Sequence, residues 1–195
     1  MIAIIDYNAG DIVPYANLIK EITNDFVITG LEKDVCKADK IIVPGSGEPC
    51  IAVRRLNLVN LTNLLRILKK PCLGIGLGAQ ILCEKSEEGD IPGLGIFPQT
   101  VSAFDKEKIQ TPHIGWENVQ YLKESKLFTG IPDGEKFYFE HSYYIPMNEY
   151  SIAKSTYGLD YSAAIEKNNY FGVQFHIEKS GDAGLKLLRN FIELC

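Results

Sequence analysis

Apolar residues in the first half of the chain fall into short runs separated by turn-forming clusters. Ile2–Ile5 is closed by Asp6 and by Tyr7-Asn8-Ala9-Gly10, the pattern of a buried strand followed by a turn. Pro14 suits the first turn of a helix, and Ala16, Ile19 and Ile22 recur at nearly helical spacing. Phe26–Thr29, ended by Gly30, reads as a second strand. Lys40–Val43, broken by Pro44-Gly45-Ser46-Gly47, reads as a third. Leu58, Leu61, Leu64, Leu65 and Leu68 form a helical stripe over 57–69. Pro71 stops it, and Cys72–Ile75 is a fourth buried strand.

Strand, helix and strand in alternation predict a parallel sheet with helices on both faces. The second half has a different rhythm. Segments 94–97, 100–104, 116–122, 137–145, 152–156, 161–165 and 170–175 read as successive strands with turn residues between them. Such short connections predict antiparallel additions to the parallel core. A helix over 182–193 closes the chain. The sequence has no repeats, linkers or low-complexity tracts, so 1–195 is read as one α/β domain.

Composition narrows the function classes. The chain is 46% apolar and 23% charged, the proportions of a globular protein. Its net charge of −5 comes from well-mixed residues without a basic stripe, which argues against nucleic acid as a partner. No apolar run approaches the ~20 residues of a membrane span, and no basic leader precedes Ile2–Ile5. The five cysteines are odd in number and lack metal-ligand spacing. Reduced thiols in a cytoplasmic protein, with no metal and no cofactor, are therefore expected.

Two segments carry candidate chemistry. Pro71-Cys72-Leu73-Gly74-Ile75-Gly76-Leu77-Gly78-Ala79-Gln80 runs from a strand directly into a helix. Glycine at every second position permits a tight, strained turn. Elbows of this kind hold a nucleophile at their apex, here Gly76, close to helix N-terminal amides. Gly74-x-Gly76-x-x-Ala79 also fits a dinucleotide fingerprint, but the acidic residue which that motif needs about 20 positions on is missing. The glycines could also serve only close packing of helix on strand.

The second segment is Phe171-Gly172-Val173-Gln174-Phe175-His176-Ile177-Glu178-Lys179-Ser180. An apolar strand delivers His176 at its end. On an extended backbone, Glu178 two residues later points the same way. A carboxylate so placed can orient the imidazole and stabilise its charged form, which is the base-and-orienter half of a catalytic triad. The alternative is a surface histidine beside a solvated Glu-Lys pair.

Several segments together resemble the glutaminase subunit of imidazole glycerol phosphate synthase. They are the elbow with Glu84-Lys85-Ser86-Glu87-Glu88-Gly89, the opening Ile4-Ile5-Asp6-Tyr7-Asn8-Ala9-Gly10, and Pro44-Gly45-Ser46-Gly47. Pro112-His113-Ile114-Gly115-Trp116, Tyr138-Phe139-Glu140-His141-Ser142-Tyr143-Tyr144 and Gln174-Phe175-His176-Ile177-Glu178-Lys179-Ser180 complete the likeness, which spans nearly the whole chain. The resemblance implies the class I glutamine amidotransferase-like three-layer sandwich. It also implies hydrolysis of L-glutamine to glutamate and ammonia, and delivery of the ammonia to a (β/α)8-barrel synthase/cyclase subunit in a heterodimer. It places the nucleophile position on Gly76, the base on His176 and the orienter on Glu178. Gly45, Ser46, Gly47 and the amide of Leu77 match the oxyanion site. Gln80, Glu88, His141, Ser142 and Tyr143 match positions near bound glutamine, and Trp116, Tyr138 and Lys179 match the partner interface.

The chain departs from that pattern at three places. The family has cysteine where this chain has Gly76, usually proline where it has Ile177, and small and aromatic residues where it has Glu48-Pro49-Cys50. The first departure removes the chemistry, because glycine offers His176 nothing to deprotonate. Cys72 lies four strand residues from the elbow, about 13 Å. Cys83 lies seven helix residues from it, about 10 Å. Cys50 follows the oxyanion loop and is the remaining stand-in. The chain is thus expected to lack turnover, either through substitution of a cysteine or as a non-catalytic scaffolding relative. Amidation of a nucleotide sugar in surface-polysaccharide synthesis is an alternative use of the same glutaminase half.

Overall fold

The computed structural model describes residues 1–8 and 10–195; Ala9, in the turn expected after the first strand, lies outside the described residues. The elements in chain order are β1 (Ile2–Ile5), α1 (Val13–Lys20), β2 (Phe26–Thr29), α2 (Glu32–Lys37), β3 (Lys40–Val43), α3 (Pro49–Leu58), α4 (Leu61–Ile67) and β4 (Cys72–Ile75). They continue as α5 (Leu77–Ile81), β5 (Cys83–Ser86), β6 (Ile91–Pro92), β7 (Phe97–Ala103), β8 (His113–Asn118), β9 (Gln120–Tyr121), β10 (Lys136–His141) and β11 (Tyr143–Tyr144). The chain ends with β12 (Ser151–Thr156), β13 (Asp160–Lys167), β14 (Tyr170–Val173) and α6 (Gly181–Leu194).

The main sheet has the order β2-β1-β3-β4-β14-β13-β12-β9. Strands β2, β1, β3, β4 and β14 pair in parallel. Strands β13, β12 and β9 extend the sheet in antiparallel fashion, as the short connections predicted. Two small sheets, β10-β8 and β11-β7-β5-β6, stand apart from it.

Alternation along the strands builds three layers. Ile2 and Ile4 of β1 face one core with Ile42, Leu73, Ile75, α1 and α6, while Ala3 and Ile5 face the other with Ile41, Val43, Cys72 and the helices α2 to α4. Both faces of β1, β3, β4 and β14 are therefore covered, which is why their sequences are nearly continuous apolar runs, while the edge strand β2 leaves Ile28 exposed. On α6, Leu187, Leu188 and Phe191 are fully buried.

The helical stripe over 57–69 is corrected. Asn60 adopts a left-handed φ of 58° and divides the region into α3 and α4. Leu58, counted in the stripe, ends α3 and is exposed. Helix α2 has no apolar stripe to betray it, since Val35 is its one buried residue. The strand expected over 94–97 is absent before Phe97. The amides of Leu94 and Ile96 instead donate to Ile81 and Leu82 carbonyls, and Phe97 begins the strand expected over 100–104. Helix α5 stops at Ile81, so Cys83 lies on β5 and not seven helical residues beyond the elbow.

Three neighbouring strands place the chemistry. Val43 pairs with Gly74 between β3 and β4, and Ile75 pairs with Val173 between β4 and β14. Their carboxyl ends, which in open α/β sheets border the ligand crevice, lead into the 44–47 loop, the elbow at Gly76 and the turn at His176.

Candidate active site

The elbow glycines have different causes. Gly76, between β4 and α5, has φ 57° and ψ −117°, a conformation open to glycine and strained for other residues. A Cβ on Gly78 would lie 1.8 Å from the Val43 carbonyl oxygen, so glycine there is required for α5 to sit against the end of β3. The packing explanation thus holds for Gly78 and the elbow explanation for Gly76. Helix α5, at five residues, is too short to supply the long helix that a dinucleotide fingerprint needs.

A Cβ at position 76 would fit between the Gly45 carbonyl and the His176 ring, in tight contact with the first. Its nearest neighbours are the Gly45 carbonyl oxygen at 3.1 Å and Cε1 and Nε2 of His176, both at 3.7 Å. The His176 ring is held from behind, with Nδ1 2.7 Å from Oε1 of Glu178. Both side chains are buried, at 8% and 6% exposure. The carboxylate can only accept, so Nδ1 carries a proton, and Nε2 is left facing the elbow. The pairing is as expected, but its geometry is not. His176 precedes a 3-10 turn over Ile177–Lys179, and this turn, not an extended strand, brings Glu178 back to the ring. The His176 amide donates to Tyr138 O at 2.8 Å, and Ser180 Oγ donates to the His176 carbonyl at 2.6 Å.

The cleft around this pair has a volume of about 490 Å³. Gly45, Ser46, Gly47, Gly76, Leu77, Gln80, Glu88, His141, Ser142, Tyr143, His176, Glu178 and Lys179 all line it. Tyr138 and Trp116 do not. They pair across β10 and β8 beside it, with rings 5.9 Å apart, and Lys179 Nζ lies 5.5 Å from the Tyr138 ring centre. Lys179 also pairs with Glu140. Trp116 is half exposed and Ile114, two residues earlier, is exposed as well.

Several of these groups are already engaged. The Leu77 amide donates to the Gly45 carbonyl at 3.2 Å. For Leu77 to serve an anion, that carbonyl must turn away. Gln80 uses its amide nitrogen on the Tyr143 carbonyl at 3.0 Å and on Gln174 Oε1 at 3.1 Å, so it braces the cleft wall. Burial, with Glu48 nearby, raises the Glu88 carboxyl above its usual range.

Sequence reasoning missed Tyr15 and Gln174. Tyr15 lines the cleft from α1, and burial followed by the facing Glu178 carboxylate drives its hydroxyl well above the usual value. Nothing in its spacing separates it from an ordinary core aromatic. Gln174 stands two residues before His176, and its role appears only when Gln80 is seen opposite.

Among the described residues no cysteine lines the cleft. Burial pushes the Cys72 and Cys83 thiols up to about 12, which makes both unreactive. Cys50 is exposed on α3 and lines a separate hollow with Val53, Arg54 and Ile91. Cys50 therefore does not take the place of the nucleophile.

Residues 11–194 match the family described as glutamine amidotransferase class-I. The imidazole glycerol phosphate synthase subunit HisH of Buchnera aphidicola subsp. Schizaphis graminum is 41% identical over 195 residues, covering 99% of each chain. The subunit of the same name from Bdellovibrio bacteriovorus is 41% identical over 204 residues, covering 100% of each. Among solved structures, one described as a glutamine amidotransferase superposes with a TM-score of 0.76 at 16% identity, covering 98% of this chain and 97% of that one. A putative GMP synthase subunit from Thermoplasma acidophilum gives 0.74 at 19% identity, covering 98% and 91%. At those identities the superpositions speak for the fold.

Proposed function

Because the chain belongs to the class-I glutamine amidotransferase family, we propose that its cleft is the glutamine site of the glutaminase subunit of imidazole glycerol phosphate synthase, in histidine biosynthesis. The observation that carries this reading is the relation of position 76 to His176. A side chain there would start 3.7 Å from Nε2, while Nδ1 is fixed on Glu178. The histidine-pathway names of the relatives support this acceptor over a nucleotide sugar.

In the full reaction, a thiol at position 76 gives its proton to His176 Nε2, and its sulfur attacks the side-chain carboxamide carbon of glutamine. The oxygen of that carboxamide becomes an oxyanion near Gly45, Ser46, Gly47 and the Leu77 amide. Collapse breaks the carbon–nitrogen bond, and His176 returns its proton to the leaving ammonia. Water, deprotonated by the same imidazole, then cleaves the thioester to glutamate. Glu178 holds the ring in the tautomer that this sequence needs and stabilises its charged form.

Gly76 supplies no sulfur. The chain as it stands therefore binds glutamine without hydrolysing it, and the remaining machinery is idle. This observation also favours a second reading, a scaffolding subunit for a synthase fed by free ammonia. In both readings the partner is a (β/α)8-barrel synthase subunit, docked on the Trp116, Tyr138 and Lys179 surface beside the cleft.

Glutamate release, measured with the synthase subunit saturating, separates the two. Gly76→Cys is expected to raise turnover from background by at least about a hundredfold, the contribution of covalent and general-base catalysis together. A Gly76→Cys chain that stays at background would leave the scaffolding reading standing and remove the glutaminase one.

A further inference from the structure

The Pro112-His113-Ile114-Gly115-Trp116 segment contains a buried histidine that glutamine hydrolysis does not use. His113 lies on the inner face of β8 and is 2% exposed. Its ring stacks on Tyr157, with centroids 3.9 Å and planes 16° apart, and on Phe139 at 5.5 Å. Its Nδ1 is 3.2 Å from Nε2 of His141. Nδ1 of His141 is in turn 2.8 Å from the Tyr143 carbonyl oxygen.

Burial favours the neutral form of both rings, and for two neutral imidazoles the proton placement in this chain has one consistent solution. A carbonyl only accepts, so His141 Nδ1 carries the hydrogen and its Nε2 is a bare lone pair. That lone pair is satisfied only if His113 donates from Nδ1. His113 Nε2 then carries no hydrogen and makes no hydrogen bond. Glu117 Oε1, 3.7 Å away, is beyond bonding distance. The donation therefore runs in one direction, from His113 to His141 to the Tyr143 carbonyl.

The receiving carbonyl is a junction of the cleft wall. It also accepts from Gln80 on α5, the helix of the elbow, and Gln80 donates onward to Gln174, two residues before His176. One backbone oxygen thus ties the segment of Ser142 and Tyr143 to the elbow and to the strand end that bears the base.

We propose that His113 is a positioning residue for bound glutamine: by donating to His141 it fixes the tautomer that holds the Tyr143 carbonyl, and with it the Ser142-Tyr143 wall, against the elbow. The inference rests on the reading of the cleft as a glutamine site. His113 itself does not line the cleft and acts through His141.

Two substitutions separate the hydrogen bond from packing. His113→Phe keeps an aromatic ring between Tyr157 and Phe139 and removes the donor. His113→Asn loses the stacking but offers an amide hydrogen near the Nδ1 position. Each is made in the full chain in complex with its synthase subunit. L-glutamine affinity is measured by calorimetry, and the His141 tautomer by imidazole 15N shifts. In His113→Phe the affinity is expected to fall about tenfold, the scale of one hydrogen bond to a buried group, while His141 becomes a mixture of tautomers. His113→Asn is expected to restore a single Nδ1-protonated His141 and most of the affinity. The inference is overturned if His113→Phe binds glutamine as tightly as the unsubstituted chain. It is also overturned if affinity falls while His141 keeps its tautomer, or if Asn rescues neither readout. If the unsubstituted complex itself takes up no glutamine, the reading of the cleft fails, and this inference fails with it.

Discussion

Position 76 shows the opposed demands that a nucleophile at a strand–helix elbow would meet. Its φ of 57° with ψ −117° suits glycine, and a Cβ there would press to 3.1 Å from the Gly45 carbonyl. Any nucleophile at this apex therefore has to be held in strain by its surroundings. Non-glycine residues in such backbone regions carry on the order of 1–3 kcal/mol. Gly76→Cys is accordingly expected to lower the unfolding free energy by about 1–3 kcal/mol in a urea titration, while it restores turnover. A restored chain as stable as the glycine form would mean that the elbow relaxes and that its strain is not imposed by β3 and β14. The same residue marks the limit of what the sequence discloses. Alternating glycines announce an elbow, but they do not say which glycine is the apex and which is demanded by packing. That distinction needs the Val43 carbonyl 1.8 Å from a Cβ on Gly78, a contact between segments far apart in the chain.

Elements that are covered on both sides were legible, and those fixed by local hydrogen bonding were not. Of the four parallel strands at the start of the chain, β1, β3 and β4 read correctly because a strand buried on two faces is a continuous apolar run, while the edge strand β2, with Ile28 exposed, read from its β-branched and aromatic residues and the closing Gly30. Helices α2 and α3 escaped, since α2 buries one side chain and α3 ends on an exposed Leu58. The 3-10 turn that returns Glu178 to His176 also escaped, although the two-residue spacing correctly joined them. The β8-β10 ribbon is the element with the most testable electrostatics, because its inner face buries two of the three histidines. Burial lowers His113, and it lowers His141 to about 3. An unfolded chain takes up protons on these rings below about pH 6.5, whereas the folded chain takes them up only at lower pH, on His141 not until about 3. The unfolded state thus binds more protons between these limits, and stability falls as pH drops through that window. Between pH 6.5 and 5.0 His141 alone removes about 2 kcal/mol, at roughly 1.4 kcal/mol per pH unit. Urea unfolding at pH 7.5 and 5.0 measures it, with His141→Gln expected to flatten the dependence. Equal stability at both values would show that the imidazoles accept protons inside the ribbon.

At the scale of the whole molecule, the ribbon joins what the parallel sheet leaves separate. Its inner face carries His113, Phe139 and His141 toward the cleft wall, and its outer face carries Ile114, Trp116, Tyr138 and Glu140 toward solvent. The carbonyl of Tyr138 accepts from the amide of His176, so the outer surface and the base are one hydrogen bond apart. If the proposed docking surface is right, a partner pressing on Trp116 and Tyr138 would act on the backbone that holds the His176 imidazole. The resemblance grouped Trp116, Tyr138 and Lys179 without saying how they meet; the cross-strand register, Tyr138 opposite Trp116, puts the two aromatics on one face. The exposed Lys179–Glu140 pair adds little on its own, as surface ion pairs do, whereas a half-exposed tryptophan at the centre of the face is the natural anchor. Trp116→Ala is expected to change the stability of the free chain by less than about 1 kcal/mol, the effect of trimming a half-exposed side chain. In a titration against the synthase subunit it is expected to weaken association by at least about tenfold, the range of an interface hot spot. Lys179→Ala, in the same titration, is expected to weaken it less. Should Trp116→Ala bind the synthase subunit with undiminished affinity, the docking surface lies elsewhere, and the bond from His176 to Tyr138 becomes a matter of folding alone.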